Sequence, residues 1–284
     1  MRLNNKGAEI FVPDAAPLEE ALRRTTHAAI AAHQDDIEIM AYHGILQCFG
    51  QKDQWFLGAT VTDGAGSPRD GIYARFTDAE MQQVRKVEQK KAATVGEFSA
   101  VALLDYPSAA VKDPRRRDVQ DEIRALLEAS RPATVYTHNL ADKHDTHVAV
   151  ALRTIGAIRD MPADVRPRVL YGCEVWRDLD WLLDSEKVAF DVSARESLAA
   201  ALVGVFDSQI CGGKRYDLAT LGRRRAHATY YASHGTDTAT GLSFAMDLTP
   251  LIEDPGLDPE RFAVDFIRRF QEDVSARIRK SSIA

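Results

Sequence analysis

Between Ile37 and Phe49 the apolar or small positions Ile37, Met40, Ala41, Gly44, Ile45, Cys48 and Phe49 recur at helical spacing, which predicts a helix with one continuous buried stripe. The stretch before the polar run His33–Asp36, from His27 to Ala32, is small and apolar enough for a buried strand, so the order is strand, polar turn, helix. The alternation then repeats. Trp55–Val61 reads as a strand closing on the turn residues Thr62, Asp63 and Gly64. A Gly/Pro-rich loop, Gly64 to Gly71, carries Arg69, and Thr77 with Glu80 forms a capping-box pattern that opens a helix reaching Val95. Phe98–Leu104 is the next strand. Asp113-Pro114 supplies an N-cap with proline at the first helical position, and Val119, Ile123, Leu126 and Leu127 give that helix its inner face. Ala133–Thr137, ending at His138, and Arg168–Tyr171 are further strands, separated by a helix bearing Val148, Leu152 and Ile155.

Strands that alternate with helices imply a parallel sheet, because parallel strands need crossover connections and helices are the usual ones. The expected class is α/β and Rossmann-like, with a mainly parallel sheet covered by helices on both faces. The C-terminal region is expected to be helical. Ser193 and Glu196 form a second capping-box pattern, opening a helix through Phe206, and another helix is expected from Asp217 to Tyr231. Asp258-Pro259 starts a final helix with Phe262, Phe266, Ile267, Phe270, Val274 and Ile278 as its inner stripe. No internal repeat or low-complexity linker interrupts the chain. The division expected is an N-terminal extension over 1–26, with a short helix from Pro17 to Arg24, a catalytic core over 27–210, and a C-terminal helical part of the same domain over 211–284.

Composition narrows the partners. A chain of 284 residues with 45% hydrophobic and 27% charged residues buries a substantial core. With 42 acids against 36 bases, the net charge of −6 argues against nucleic acid or an anionic membrane as partner. The runs Arg115–Arg117 and Arg223–Arg225 are expected to be solvated helix faces. Cys48, Cys173 and Cys211 lack the spacing of a zinc knuckle or redox motif, and the N-terminus lacks a signal-peptide core. These features, with no apolar run near the roughly 20 residues of a bilayer span, predict a cytoplasmic protein. Self-association stays open.

Candidate chemistry lies in two polar stretches, each after a strand: His33-Gln34-Asp35-Asp36-Ile37-Glu38 and Lys143-His144-Asp145-Thr146-His147. In open α/β sheets ligands bind outside the carboxyl ends of the strands, where both stretches fall. Imidazole and carboxylate are good ligands for zinc and other first-row divalent metals, and a catalytic site keeps three protein ligands with a position left for water. His138, at a strand end, stays a candidate beside them. Glu38 is expected to orient a ligand rather than bind metal, and Arg69 to grip a polar or anionic part of the substrate.

Ala32-His33-Gln34-Asp35-Asp36-Ile37-Glu38 resembles the Ala-His-Pro-Asp-Asp-x-Glu signature of the LmbE-like or PIG-L family of zinc-dependent N-deacetylases. Lys143–His147 resembles that family's His-Pro-Asp-His, Val61-Thr62-Asp63-Gly64 its second-strand turn, Arg85, Glu88 and Ala92 its Arg-x-x-Glu-x-x-x-Ala helix, and Ser208-Gln209 its late Ser-Gln. The resemblance implies that His33, Asp36 and His147 hold Zn2+ or another divalent first-row metal. It also implies that Asp35 is the general base acting on the attacking water, and that His144 stabilises the tetrahedral intermediate or protonates the departing amine. The implied activity is removal of an N-acetyl group from an N-acetylated amino sugar or its conjugate. A metal hydrolase of another amide or ester, and a non-catalytic metabolite-binding relative, are the alternatives. Three departures bear on rate and substrate: Gln34 for proline, Asp145-Thr146 for Pro-Asp, and Asp142 where some members carry tyrosine.

Overall fold

The computed structural model describes residues 3–282. Its first elements are β1 (Glu9–Phe11), α1 (Leu18–Arg23) and β2 (His27–Ala31), followed by α2 (Asp36–Met40) and α3 (Tyr42–Cys48). The apolar stripe that predicts one helix is thus split in two at Ala41, whose φ of −111° and ψ of 20° leave the helical region. The stripe stays buried across the break, at Ile37, Met40, Ala41, Ile45 and Cys48, so periodicity survives where hydrogen bonding does not. β3 (Phe56–Thr62), α4 (Asp78–Val95) and β4 (Ala100–Tyr106) follow. α4 begins as expected, with the Thr77 hydroxyl accepting from the Glu80 N–H and the Glu80 carboxylate accepting from the Thr77 N–H.

Next come α5 (Ser108–Lys112), α6 (Asp118–Ser130), β5 (Thr134–His138), α7 (Asp145–Arg159) and β6 (Val169–Cys173). Asp113 does not cap α6. It ends α5, and its carboxylate accepts from the Arg115 N–H, a local turn that competes with a helix start. The remaining elements are β7 (Val188–Asp191), α8 (Glu196–Gly204), α9 (Asp207–Ile210), α10 (Tyr216–Tyr230), β8 (Leu242–Asp247), α11 (Thr249–Glu253) and α12 (Pro259–Ser281). Ser193 is not the cap of α8 either: its hydroxyl accepts from the Thr240 and Gly241 N–H groups and ties the end of β7 to the start of β8.

Among the described residues eight strands form one sheet in the order β1-β4-β3-β2-β5-β6-β8-β7. The central five, β4-β3-β2-β5-β6, are parallel, and β1, β8 and β7 extend the edges antiparallel. Strands β1, β7 and β8 are not visible in the hydrophobic pattern, since they are short and β8 reads Leu-Ser-Phe-Ala-Met-Asp with no alternation. Alternate residues of β2 feed two cores. Ala28 and Ile30 meet Leu22, Ile123, Leu126 and Ile155 on one face, while Ala29 and Ala31 meet Ile37, Ile45, Ala92 and Leu202 on the other. Each fully buried leucine or isoleucine contributes about 1.5–3 kcal/mol.

From β2 the chain moves outward through β3 and β4, then returns to place β5 and β6 on the other side. The direction of winding therefore reverses between β2 and β5, which opens a crevice at their carboxyl ends. The final helix departs from expectation. Asp258 caps α12 and Phe266 is buried, but Ile267, Val274 and Ile278 are 46%, 37% and 62% exposed, and the buried residues of α12 are Ala263 and Phe266 near its start.

Candidate metal centre and its cleft

Both polar stretches emerge at that crevice. After β2 the chain must turn sharply into α2, and Asp35 takes the strain with φ of 93° and ψ of −30°, a region that aspartate and asparagine tolerate better than most residues. The turn is held from several sides. Asp36 Oδ2 accepts from the His33 N–H at 2.7 Å, and the Arg85 guanidinium on α4 donates to the Gln34 carbonyl and to Ser67. Gly64, with φ of +78°, lets the loop after β3 pass close by: a Cβ there would lie 2.6 Å from Gln34 Oε1.

The second stretch follows β5, and the start of α7 turns His147 inward. Its Nε2 lies 3.1 Å from His33 Nδ1 and 3.3 Å from Asp36 Oδ2, while His33 Nδ1 lies 3.2 Å from Asp36 Oδ2. Zinc bonds of about 2.0–2.1 Å in a tetrahedron place neighbouring donors about 3.3 Å apart, so this triangle of two imidazoles and one carboxylate fits a divalent metal. Electrostatics agree. Burial disfavours charge on His147, yet Asp36 and Asp142 outweigh it and push the imidazole up to about 9. Asp36 is buried too, but His147 and His33 hold its carboxyl well below the usual range. A site that binds a proton this firmly is built for positive charge.

Two other histidines adjoin the triangle. His138 stacks on His147 with ring centroids 3.9 Å apart, but its Nε2 accepts the Ala32 N–H at 2.9 Å, so that lone pair is occupied by the backbone. His144 lines the cleft, stacked on His147 at 4.6 Å. Burial, then His147 and His33, lower its proton affinity.

Asp35 also lines the cleft and is 5% exposed, with Oδ2 3.5 Å from Arg85 Nη2. Burial raises its carboxyl to about 8, against the pull of Arg85 and with the push of Asp36. The Arg85, Glu88 and Ala92 positions of α4 acquire distinct tasks. Arg85 braces the turn, Glu88 accepts from the Ser208 N–H and hydroxyl at 2.8 and 2.6 Å, and Ala92 is fully buried in the core on that face of the sheet. Ser208-Gln209 thereby docks α9 over the site, and Gln209 reaches the cleft.

Glu38 sits one layer back. It accepts from Gln89 Nε2 at 2.8 Å, and Gln89 Oε1 accepts from the Asp35 N–H at 3.4 Å, so Glu38 supports the strained turn rather than a histidine. Arg69 lies outside the cleft: its guanidinium donates to the Ala65 and Phe76 carbonyls and pairs with Asp78, stitching the loop to itself. The Arg223–Arg225 run is not a solvated face, since Arg224 is buried and donates to the Glu38 and Ile39 carbonyls.

Asp142 carries a role that its place in the sequence does not reveal. Its carboxylate accepts from the His144 and Trp176 N–H groups at 3.0 and 3.1 Å and faces His147 Nδ1 at 3.4 Å, the arrangement that fixes the tautomer of a ligating histidine. A carboxylate five residues before a histidine gives no periodic signal. Trp176, from the segment after β6, and Tyr216, at the start of α10, also line the cleft of about 360 Å³.

A doubly wound α/β domain with a His/Asp cluster at its switch point defines a class. The model of the PIG-L family, described as GlcNAc-PI de-N-acetylase, matches residues 28–158, which hold both polar stretches, and this match supports assignment to that family. Solved structures share the fold at low identity. N,N′-diacetylchitobiose deacetylase from Pyrococcus horikoshii is 16% identical, with 78% of this chain and 83% of that one covered and a TM-score of 0.59. GalB, the 4-carboxy-2-hydroxymuconate hydratase from Pseudomonas putida, is 16% identical over 78% and 96%, with a TM-score of 0.58. The conserved protein TT1542 from Thermus thermophilus is 18% identical over 82% and 98%, with a TM-score of 0.60. A comparison with curated protein sequences gives no match.

Proposed function

We propose that this protein is a divalent-metal-dependent hydrolase that removes the acetyl group from an N-acetylated amino sugar or its conjugate. The observation that carries this reading is the triangle of His33 Nδ1, Asp36 Oδ2 and His147 Nε2, with sides of 3.1–3.3 Å, beside the buried Asp35 carboxyl in an open cleft. Those three residues would hold the metal, and zinc or another first-row divalent ion bound there would polarise the amide carbonyl, make water more acidic and favour the ionised form of Asp35.

Asp35 takes a proton from the attacking water. Burial raises the proton affinity of its carboxyl above that of an exposed aspartate, and the charge of a bound metal would return it to the ionised form that a base requires. The departing amine needs a proton of its own, since it leaves poorly as an anion. The proton that Asp35 took from water supplies it, while His144, whose lowered proton affinity favours the neutral imidazole, lines the cleft and donates its N–H to the tetrahedral intermediate. Asp142 positions His147 and Arg85 positions the turn that carries Asp35. The family description and the deacetylase among the structural relatives support the deacetylase reading.

The purified protein should release acetate and a primary amine in equal amounts from a panel of N-acetylglucosaminides. Activity should disappear with a chelator and in His147→Ala. Amine release without acetate would move the reaction to another amide, and the hydratase on the same fold makes double-bond hydration a further control. Protein without a bound divalent metal and with turnover unaffected by His147→Ala would overturn the proposal.

A further inference from the structure

The last helix carries an apolar stripe that no other described residue buries. Val264, Ile267, Phe270, Val274 and Ile278 are all exposed on α12, while the other exposed large apolar side chains among the described residues are scattered over loops and three more helices. At 3.6 residues per turn the five lie within a sector of about 120° centred on Ile267, and Gln271 falls in the same sector. The stripe runs beside the face that buries Ala263 and Phe266. The helix is braced along its middle as well, since Arg269 pairs with Glu186 and the Phe270 ring meets Trp181 edge-on at 6.1 Å. Single apolar residues on a surface are ordinary, whereas a contiguous stripe marks contact with another molecule.

The spacing of the stripe matches itself when reversed. Counting outward from Gln271, Val264 and Ile278 are each seven residues away, and Ile267 and Val274 are four and three away. Two copies of α12 laid antiparallel about a two-fold axis at Gln271 therefore bring Val264 against Ile278 and Ile267 against Val274 in both halves of one seam. Charge selects the same orientation. The stretch from Glu253 to Asp265 holds five acids and one base, whereas Arg277 to Lys280 holds three bases and no acid. An antiparallel pair joins each acidic end to a basic one and opposes the helix dipoles; a parallel pair sets like charge against like. An anionic membrane, the other common taker of an amphipathic helix, is disfavoured by those acids and by the net charge of −6.

We propose that α12 is the interface of a two-fold homodimer, packed antiparallel against the same helix of a second copy with Gln271 at the axis. The seam from Val264 to Ile278 is about 21 Å long and about 10 Å wide. That falls short of the roughly 800 Å² per partner of a standard interface, so the dimer is a weak one that forms as concentration rises. No residue of α12 lines the cleft, so the proposal is independent of the chemistry there.

Sedimentation velocity of the full chain, from about 1 to 200 μM, should show the 31.4 kDa protomer giving way to a species of twice that mass. Ile267→Lys puts an ammonium into each half of the seam and should raise the dimer dissociation constant at least on the order of a hundredfold, with the circular dichroism spectrum unchanged. Orientation is read by cross-linking in a Cys211→Ser background, which removes the exposed thiol. Gln271→Cys should form a disulfide-linked dimer on mild oxidation, while Ile278→Cys, whose two copies stand about 21 Å apart along an antiparallel seam, should not. A chain that stays monomeric throughout, whether or not it binds anionic vesicles, overturns the proposal. So does a dimer that the folded Ile267→Lys variant leaves intact, or cross-linking of Ile278→Cys as readily as of Gln271→Cys.

Discussion

Replacing Asp35 by Asn tests the centre of the proposed mechanism without disturbing its backbone. Asparagine tolerates the positive φ of 93° found at this position, so the sharp turn between β2 and α2 is expected to persist. In the metal-free protein the Asp35 carboxyl is raised from 3.8 to about 8, chiefly by burial, so at pH 7 it is mostly neutral when folded and ionised when unfolded. The folded-state value lies above the unfolded one. This group therefore costs nothing below pH 4, and its cost grows as pH rises towards 8. At pH 7 the gap spans about three units at about 1.4 kcal/mol each, or roughly 4 kcal/mol. The amide escapes this cost, so metal-free Asp35→Asn should be more stable than the parent, by a margin that widens about 1.4 kcal/mol per pH unit between pH 5 and 8. Its turnover should fall about 10²–10⁴-fold as the general base is lost, with metal content unchanged. Urea unfolding at several pH values, with metal analysis and amine-release rates, makes the comparison. A stability difference independent of pH, or turnover within tenfold of the parent, would refute the reasoning.

Metal affinity should climb with pH up to about 9, because His147 holds a proton in the metal-free protein that must leave before its nitrogen can bind; calorimetric titration showing the same affinity at pH 7 and 9 would contradict the assignment. Asp142→Asn should weaken metal binding about 10–100-fold while the fold is kept, since it removes the charge that His147 Nδ1 faces; competition with a chromogenic chelator measures this, and unchanged affinity would count against a positioning role. Ser208→Ala should cost about 1–3 kcal/mol in urea unfolding by leaving the buried Glu88 short of its hydroxyl partner; a loss below 0.5 kcal/mol would show that Glu88 finds another donor.

The parallel core of the fold was legible because its signals are local. Each of the strands β2 to β6 is a short apolar run, and the Thr77–Glu80 capping box starts α4 where expected. What escaped depends on partners remote in sequence. β1 is a strand only because β4 offers it an edge, and β8 because β6 and β7 lie on either side. Asp113 and Ser193 carry the sequence of N-caps, yet nearer or competing donors captured their side-chain oxygens. The stripe on α12 has the right period for a core helix, but period says nothing about whether another element arrives to cover it.

At the site, the chain by itself determined which chemistry was on offer: imidazoles and carboxylates at two strand ends, in a motif that resembles a metal hydrolase. Only the tertiary structure decided how they are shared. The reversal of winding between β2 and β5 brings His33, Asp36 and His147 within 3.3 Å of one another across more than a hundred residues. It gives Asp142 to His147, turns Arg69 into its own loop, and brings Lys112 and Lys214 into the lining of the cleft. Residue identity sets the proton affinities and ligand preferences of side chains one at a time, whereas burial and convergence, which shift those affinities and let donors act as a set, exist only once the sheet has closed.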